Sequence, residues 1–229
     1  MALSLGRKQT LTSLAAQYAE GIDQQALTYL ASRGIDATVV ADYQLGSVTG
    51  DVPAEHQPYK GMISIPYVTK TGVVGFKFRH TDNHHVPKYK NPTGQATRMF
   101  NVMATFTDLP FIAVCEGELD ALIADSLGIP AVGIAGVRAW KPQHPRLLDG
   151  FEFVVILADN DEKEDGSNPG HELARAIMED LPQAQVAWLP RSQDVNEVFL
   201  TGGREAVINL LPENLRNMID SAPGGVLND

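Results

Sequence analysis

The feature that most constrains this chain is a set of four short apolar runs set apart by stretches of helical periodicity. "FIAVC" (111–115), "PAVGIAG" (130–136), "FEFVVILA" (151–158) and "AQVAWL" (184–189) are too short for ordinary helices and too continuously apolar for strands with one wet face. Between them, "ELDALIADSLG" and "PGHELARAIMEDL" repeat their apolar residues at helical spacing. Strands alternating with helices predict a parallel sheet covered on both faces, an α/β architecture. "EVFLTGGREAVINLL" adds a further helix, and the tail "SAPGGVLND" is expected to fray.

The half before Pro110 has a different rhythm. Residues 10–33 are predicted helical, with Asp23 as an N-cap and Gly34 as a stop. "GMISIPYVT" and "GVVGFKFRH" alternate as a hairpin with its turn at Thr71 and Gly72, and "TDNHHVPKYKNPTGQAT" is a loop. The expected division is a smaller mixed α+β basic subdomain over 1–109, a catalytic domain over 110–205, and a C-terminal helix with its tail over 206–229.

Charge follows the same division. Ten Lys and Arg stand against eight Asp and Glu up to residue 109, and eight against twenty afterwards. Seven of the cations fall within Lys60–Arg98, where Asp82 is the one acid. A basic block on an acidic chain is compatible with a nucleic-acid partner, although a solvated hairpin surface would look alike. A lone cysteine, Cys115, excludes internal disulfides and any zinc module needing several cysteines. No apolar run reaches the roughly 20 residues of a membrane span, and no signal peptide is evident at the start, so a cytoplasmic protein without a membrane partner is expected.

The chemistry gathers where two apolar runs end. The first closes in Cys115-Glu116-Gly117, with Asp120 about one turn into the following helix; the other closes in Asp159-Asn160-Asp161-Glu162. Ligands of open parallel sheets bind beyond the carboxyl ends of strands. Asp159 and Asp161, two apart in extended chain, project to one side, roughly 6.5 Å apart. Clustered carboxylates repel and are costly to desolvate, and an oxygen-only set suits Mg²⁺ or Mn²⁺. Taken singly, each acid also has a structural explanation, as a cap or a favourable charge at a helix start.

"FIAVCEGELDAL" followed by "VVILADND" resembles the TOPRIM domain, a strand-end Glu-Gly and a later Asp-x-Asp. Upstream, "ALTYLASRGIDATVVADYQLG", "GMISIPYVTKTGVVGFKFRH" and "VPKYKNP", and downstream "SQDVNEVFL", are similar to the RNA-polymerase core of DnaG-type primases, in the expected order over residues 24 to 200. The resemblance implies Glu116, Asp159 and Asp161 as catalytic and metal-binding residues, with Asp120 and Asp194 as further acids near two or more Mg²⁺ or Mn²⁺ ions. It implies Lys77, Arg79, Lys88, Tyr89, Asn91 and Arg98 in a basic cleft for template and nucleotide phosphates. Its partners would be single-stranded DNA and ribonucleoside triphosphates, with a replicative helicase and a separate zinc-binding subunit arriving in trans.

The chain departs from that pattern in lacking the cysteines of a zinc-binding domain, in having little sequence left for a helicase-binding domain, and in Val195 where proline is usual. The implied activity is metal-dependent synthesis of short RNA primers, with phage or mobile-element origin consistent with the small size. The alternatives are a TOPRIM nuclease or topoisomerase-like enzyme, and a non-catalytic nucleic-acid-binding module. Among the remaining residues, His80, His84 and His85 are expected in a solvated loop, Tyr89 against a base or the hairpin, Trp140 and Trp188 in the core, and Cys115 as an apolar filler.

Overall fold

A computed structural model describes residues 3–161 and 165–221. Glu162 and the tail from residue 222 lie outside them. The chain splits into two compact units, Met1–Thr97 and Arg98–Asp229.

The first unit opens with α1 (Leu5–Glu20), whose start is held by the Ser4 hydroxyl accepting from the Arg7 N–H at 3.2 Å. The predicted helical stretch is two helices, because α1 ends at Gly21 and Asp23 starts α2 (Gln24–Ser32) by accepting from the Ala26 N–H at 2.8 Å. Gly34, at φ 77°, takes the left-handed turn that stops α2, and α3 (Ala37–Asp42) follows. Four antiparallel strands then pair in chain order: β1 (Gly46–Ser47), β2 (Ile63–Thr69), β3 (Gly72–Arg79) and β4 (Tyr89–Lys90). The hairpin turn sits one residue earlier than expected, at Lys70 and Thr71, since Gly72 already pairs with Thr69.

Leu11, Leu14, Ala15 and Tyr18 of α1 pack against Phe76 and Phe78 of β3, all buried. Truncating either phenylalanine to alanine should cost about 3–5 kcal/mol. Inside this core the Tyr18 hydroxyl lies 2.7 Å from His56 Nδ1, and the imidazole is surrounded by the rings of Tyr59, Phe76 and Phe78.

The second unit is the predicted parallel sheet. Its elements run β5 (Phe111–Cys115), α4 (Glu118–Ser126), β6 (Ala131–Gly133), α5 (Pro145–Leu148), β7 (Phe153–Ala158), α6 (Pro169–Asp180), β8 (Ala184–Trp188), α7 (Val195–Ile208, broken at Gly203) and α8 (Glu213–Ser221). The strands lie in the order β6-β5-β7-β8, all parallel. Ile112, Val114, Val154 and Ile156 pack on Leu173, Ala174 and Ile177 of α6. The alternate residues Phe111, Ala113, Cys115, Val155 and Leu157 are as deeply buried on the other face. Both faces are covered, which is why these runs carry no polar alternation.

This unit begins ahead of Pro110, where the apolar rhythm starts. Phe100 and Gly133 exchange backbone hydrogen bonds at 2.9 and 3.2 Å. The Asn101 side chain donates to the Ala131 carbonyl and to Asp125, each at 2.8 Å. Met99 joins the core under the sheet. Two of the expected core aromatics behave differently. Trp140 is half-buried, with its indole N–H donating to Asp180 at 2.8 Å, whereas Trp188 is 45 % exposed because β8 is an edge strand. Among the described residues, no helix is long and apolar enough to cross a membrane.

Candidate active site

The strand order decides where a site can form. From β5 the chain crosses to β6 on one side, while β7 lies on the other, so the connections leave β5 and β7 in opposite directions. A crevice opens beyond strand ends at such a reversal. Cys115 pairs with Leu157, so Glu116 leaves β5 beside the last residue of β7, and Asp159 is the next residue along that strand. The two acidic sets read from the sequence come from neighbouring central strands.

Gly170, in the first turn of α6, shows how close they are. A Cβ there would overlap the Asp159 carbonyl oxygen and stand 2.5 Å from Glu116 Oε1. The helix can approach both residues only because position 170 has no side chain. Asp159 responds to its surroundings. Burial first, then the charges of Glu116, Asp194, Asp161 and Glu197, push its carboxyl up to about 7. Four acids from three segments therefore act on one partly buried carboxylate, whose charged form a nearby cation would favour.

Asp194 also has a structural task. As N-cap of α7 it accepts from the Glu197 N–H at 2.8 Å, while the Glu197 side chain accepts from the Asp194 N–H at 3.2 Å, a capping box. That box brings Glu197 into the field at Asp159. Sequence reasoning passed over Glu197, although the Asp-x-x-Glu spacing signals it. Asp120 is turned differently: its Oδ1 accepts from the Asn196 N–H at 3.4 Å, and its Oδ2 lies 2.8 Å from where a Cβ on Gly117 would sit. It ties α4 to the start of α7. Cys115 is fully buried and its thiol is pushed well up, by burial first and then by the acids around it, so it is a filler and no nucleophile.

The oxygen-only donor set and the mutual repulsion at Asp159 fit a hard divalent cation. Among the described residues, no group of three or more His, Cys, Asp or Glu side chains already stands at ligand spacing. The acids share a field without being drawn together.

Most of the basic set lies in the first unit, and its members differ. Lys77 and Arg79 of β3 are each only 6 % exposed, which a solvated hairpin surface would not produce. The Tyr89 ring takes both cations on its face, Lys77 Nζ at 4.6 Å and the Arg79 guanidinium at 4.5 Å. Arg79 also donates from Nε to the Tyr29 hydroxyl at 2.6 Å and from its terminal nitrogen to Asn83 at 3.0 Å. Tyr89 is thus committed to the hairpin. Lys88 and Asn91 are exposed, and the Asn91 carbonyl accepts from Tyr59 at 3.1 Å. Arg98 is half-buried and belongs to the second unit. His84 and His85 are exposed as expected, but the His80 ring packs 3.5 Å from that of His85, and burial lowers its pKa.

Comparison with known proteins bears on the family and the fold. A family described as Toprim-like matches residues 113–199, the span from β5 into α7. The gene 57 protein of Mycobacterium phage D29 is 34 % identical over 155 residues, covering 66 % of this chain and 97 % of that protein. The chain belongs to that phage protein's family, and it carries a Toprim-like domain on the DnaG primase-core fold. Two solved structures establish the fold. The Aquifex aeolicus primase, with its zinc-binding and RNA polymerase domains, superposes with a TM-score of 0.73 at 21 % identity, over 96 % of this chain and 62 % of that one. The RNA polymerase domain of Mycobacterium tuberculosis DnaG, in complex with a double-stranded DNA oligomer with a 6-nucleotide overhang, superposes with a TM-score of 0.70 at 20 % identity, over 90 % of this chain and 80 % of that one. The present chain therefore spans less than two thirds of the Aquifex chain.

Proposed function

We propose that this chain is the catalytic core of a DNA primase, which joins ribonucleoside triphosphates into short RNA primers on single-stranded DNA. The reading rests on one observation above the others: Asp159, at the end of a central strand, has its carboxyl pushed up to about 7 by burial and by Glu116, Asp194, Asp161 and Glu197. Like charge gathered on a partly buried carboxylate at a strand-order reversal is the pattern of a functional site. The primase-core fold and the DNA-bound Mycobacterium tuberculosis neighbour support a nucleotidyltransferase acting on nucleic acid.

In this scheme Glu116, Asp159 and Asp161 hold Mg²⁺ or Mn²⁺, with Asp194 and Glu197 adding negative charge from the start of α7. The bound ions would lower the pKa of a primer 3′-hydroxyl and neutralise charge on the α-phosphate it attacks, with pyrophosphate leaving. Gly170 keeps Glu116 and Asp159 side by side. Asp120 fixes α4 against α7 and so steadies the Glu116 turn. Lys88, Asn91 and Arg98 offer donors to template and nucleotide phosphates, while Lys77 and Arg79, held by Tyr89 and Tyr29, add positive charge from within the hairpin, so template affinity falls as salt rises. A replicative helicase and a separate zinc-bearing subunit would act in trans.

The test combines purified protein with single-stranded template, labelled ribonucleotides and Mg²⁺ or Mn²⁺, with and without a pre-annealed primer. Labelled RNA that disappears in Asp159→Ala and in Glu116→Ala is the expected result. Template cleavage without synthesis would assign a nuclease instead, and DNA binding with neither activity would leave a non-catalytic module.

A further inference from the structure

Beyond the strand-end acids, the outer side of the second unit carries a feature that primer chemistry at Asp159 does not use. Trp188 closes edge strand β8 with 45 % of its surface in solvent. Its ring centroid lies 4.2 Å from that of His171, near the start of α6, with the planes inclined at 48°. The two rings wall a cavity of about 610 Å³ that Met178, itself 46 % exposed, helps to line. His171 also lines a second cavity of about 410 Å³, together with Asn160, Gly166, Asn168 and Arg191. Asn160 stands between Asp159 and Asp161 in the sequence. His171 therefore lines both cavities, the aromatic one with Trp188 and the polar one with Arg191 and Asn160.

An aromatic wall joined to a polar recess with an arginine is complementary to a base joined to phosphate. The surrounding charge selects the form of that ligand. Glu172 and Glu179 line the aromatic cavity, and Arg175 is engaged with Glu179 at 3.7 Å. A strand laid over α6 would bring a phosphate per nucleotide against those acids. A single nucleotide keeps all its negative charge at one end, where Arg191 is.

We propose that Trp188 and His171 form a base-stacking platform for a nucleoside triphosphate whose phosphates extend toward Arg191 and Asn160. This extends the proposed polymerase activity by naming residues that hold its substrate outside the acid cluster. Trp188 is then a determinant of nucleotide affinity. Stacking on one aromatic ring contributes roughly ten- to a hundredfold in affinity.

The chain has two tryptophans, so a Trp140→Phe background leaves Trp188 as the sole indole emitter. In Mg²⁺, ATP should quench its emission saturably, while inorganic triphosphate should bind about tenfold more weakly and leave emission unchanged. By calorimetry Trp188→Leu should weaken ATP binding about tenfold, Trp188→Phe should restore most of it, and Arg191→Ala should weaken ATP and inorganic triphosphate alike. ATP affinity unchanged in Trp188→Leu would overturn the platform, as would an oligothymidylate that binds Trp188 more tightly than ATP does. Primer synthesis run on the same preparations separates this failure from that of the polymerase reading. Primers made by Trp188→Leu with unchanged KM remove the platform alone. Saturable ATP quenching in a wild-type protein that makes no primers supports the platform and removes the polymerase.

Discussion

Arg79 donates its Nε–H to the Tyr29 hydroxyl at 2.6 Å, linking β3 to α2 through a pair that lies almost wholly out of water. A guanidinium buried in this way depends on that acceptor. Tyr29→Phe keeps the ring and removes the oxygen, and should destabilise the first unit by about 1–3 kcal/mol in urea titrations. Arg79→Lys should not compensate, because an ammonium cannot serve Tyr29, Asn83 and the Tyr89 face together.

Gly170→Ala should damage both stability and function. The added methyl meets the Asp159 backbone carbonyl and Glu116 Oε1, so the start of α6 or the strand end must shift together with the Glu116 side chain. A shift of about 1 Å in a reacting group can cost on the order of 10²-fold in rate. Primer synthesis by Gly170→Ala at near wild-type rate would show that the two acids need not be held together.

Asp159→Asn should abolish synthesis and at the same time stabilise the metal-free protein. With its folded pKa raised from 3.8 to about 7, Asp159 binds a proton in the native state that the unfolded chain has already released. Native stability therefore declines as pH rises from about 4 through 7, by no more than about 4 kcal/mol. Thermal melts in EDTA should show that decline in the wild type and a flatter profile in Asp159→Asn. Adding Mg²⁺ at pH 8 should raise the wild-type Tm and move the variant much less.

His56 gives a pH dependence of the opposite sense in the first unit. Burial lowers its pKa, opposed by Glu55 and aided by Arg7, and its Nδ1 faces the Tyr18 hydroxyl. The native state holds the ring neutral where the unfolded chain is already protonated, so this contribution is complete above the ordinary histidine value of 6.5 and is lost as pH falls below it. His144 in the second unit, also lowered by burial, acts in the same direction. Because Asp159 works the other way over the same range, the test is the difference in urea midpoint between wild type and His56→Gln, which should shrink on acidification from pH 7 to 5.

The sequence carried much of this arrangement in local signals. Uninterrupted apolar runs announced the parallel sheet because both of its faces are covered, and Asp23 announced α2 because a cap hydrogen-bonds within three residues. The Glu-Gly and Asp-x-Asp strand ends were legible for the same reason. Strand order was not, since nothing in "FIAVC" tells which neighbour it takes. The partnership of Gly170 with Glu116 and Asp159 also stayed hidden, because a glycine's reason for being small lies in residues distant along the chain. Lys77 and Arg79 were legible as part of a basic set, but the tyrosines that cover them were not, because Tyr29 and Tyr89 come from other elements of the chain. Trp188 was assigned to the core on residue type, and its position on the sheet margin decided otherwise.

The order β6-β5-β7-β8 has a consequence for how this chain can diverge. Both acid-bearing strands are flanked on either side, so their tips are braced whatever happens at the margins. Changes can accumulate along the β6 margin while the inner pair keeps its spacing, whereas β8 carries Trp188 and leads into the Asp194–Glu197 box. A lineage could thus acquire or discard accessory attachments at the periphery without having to rebuild the machinery at the centre.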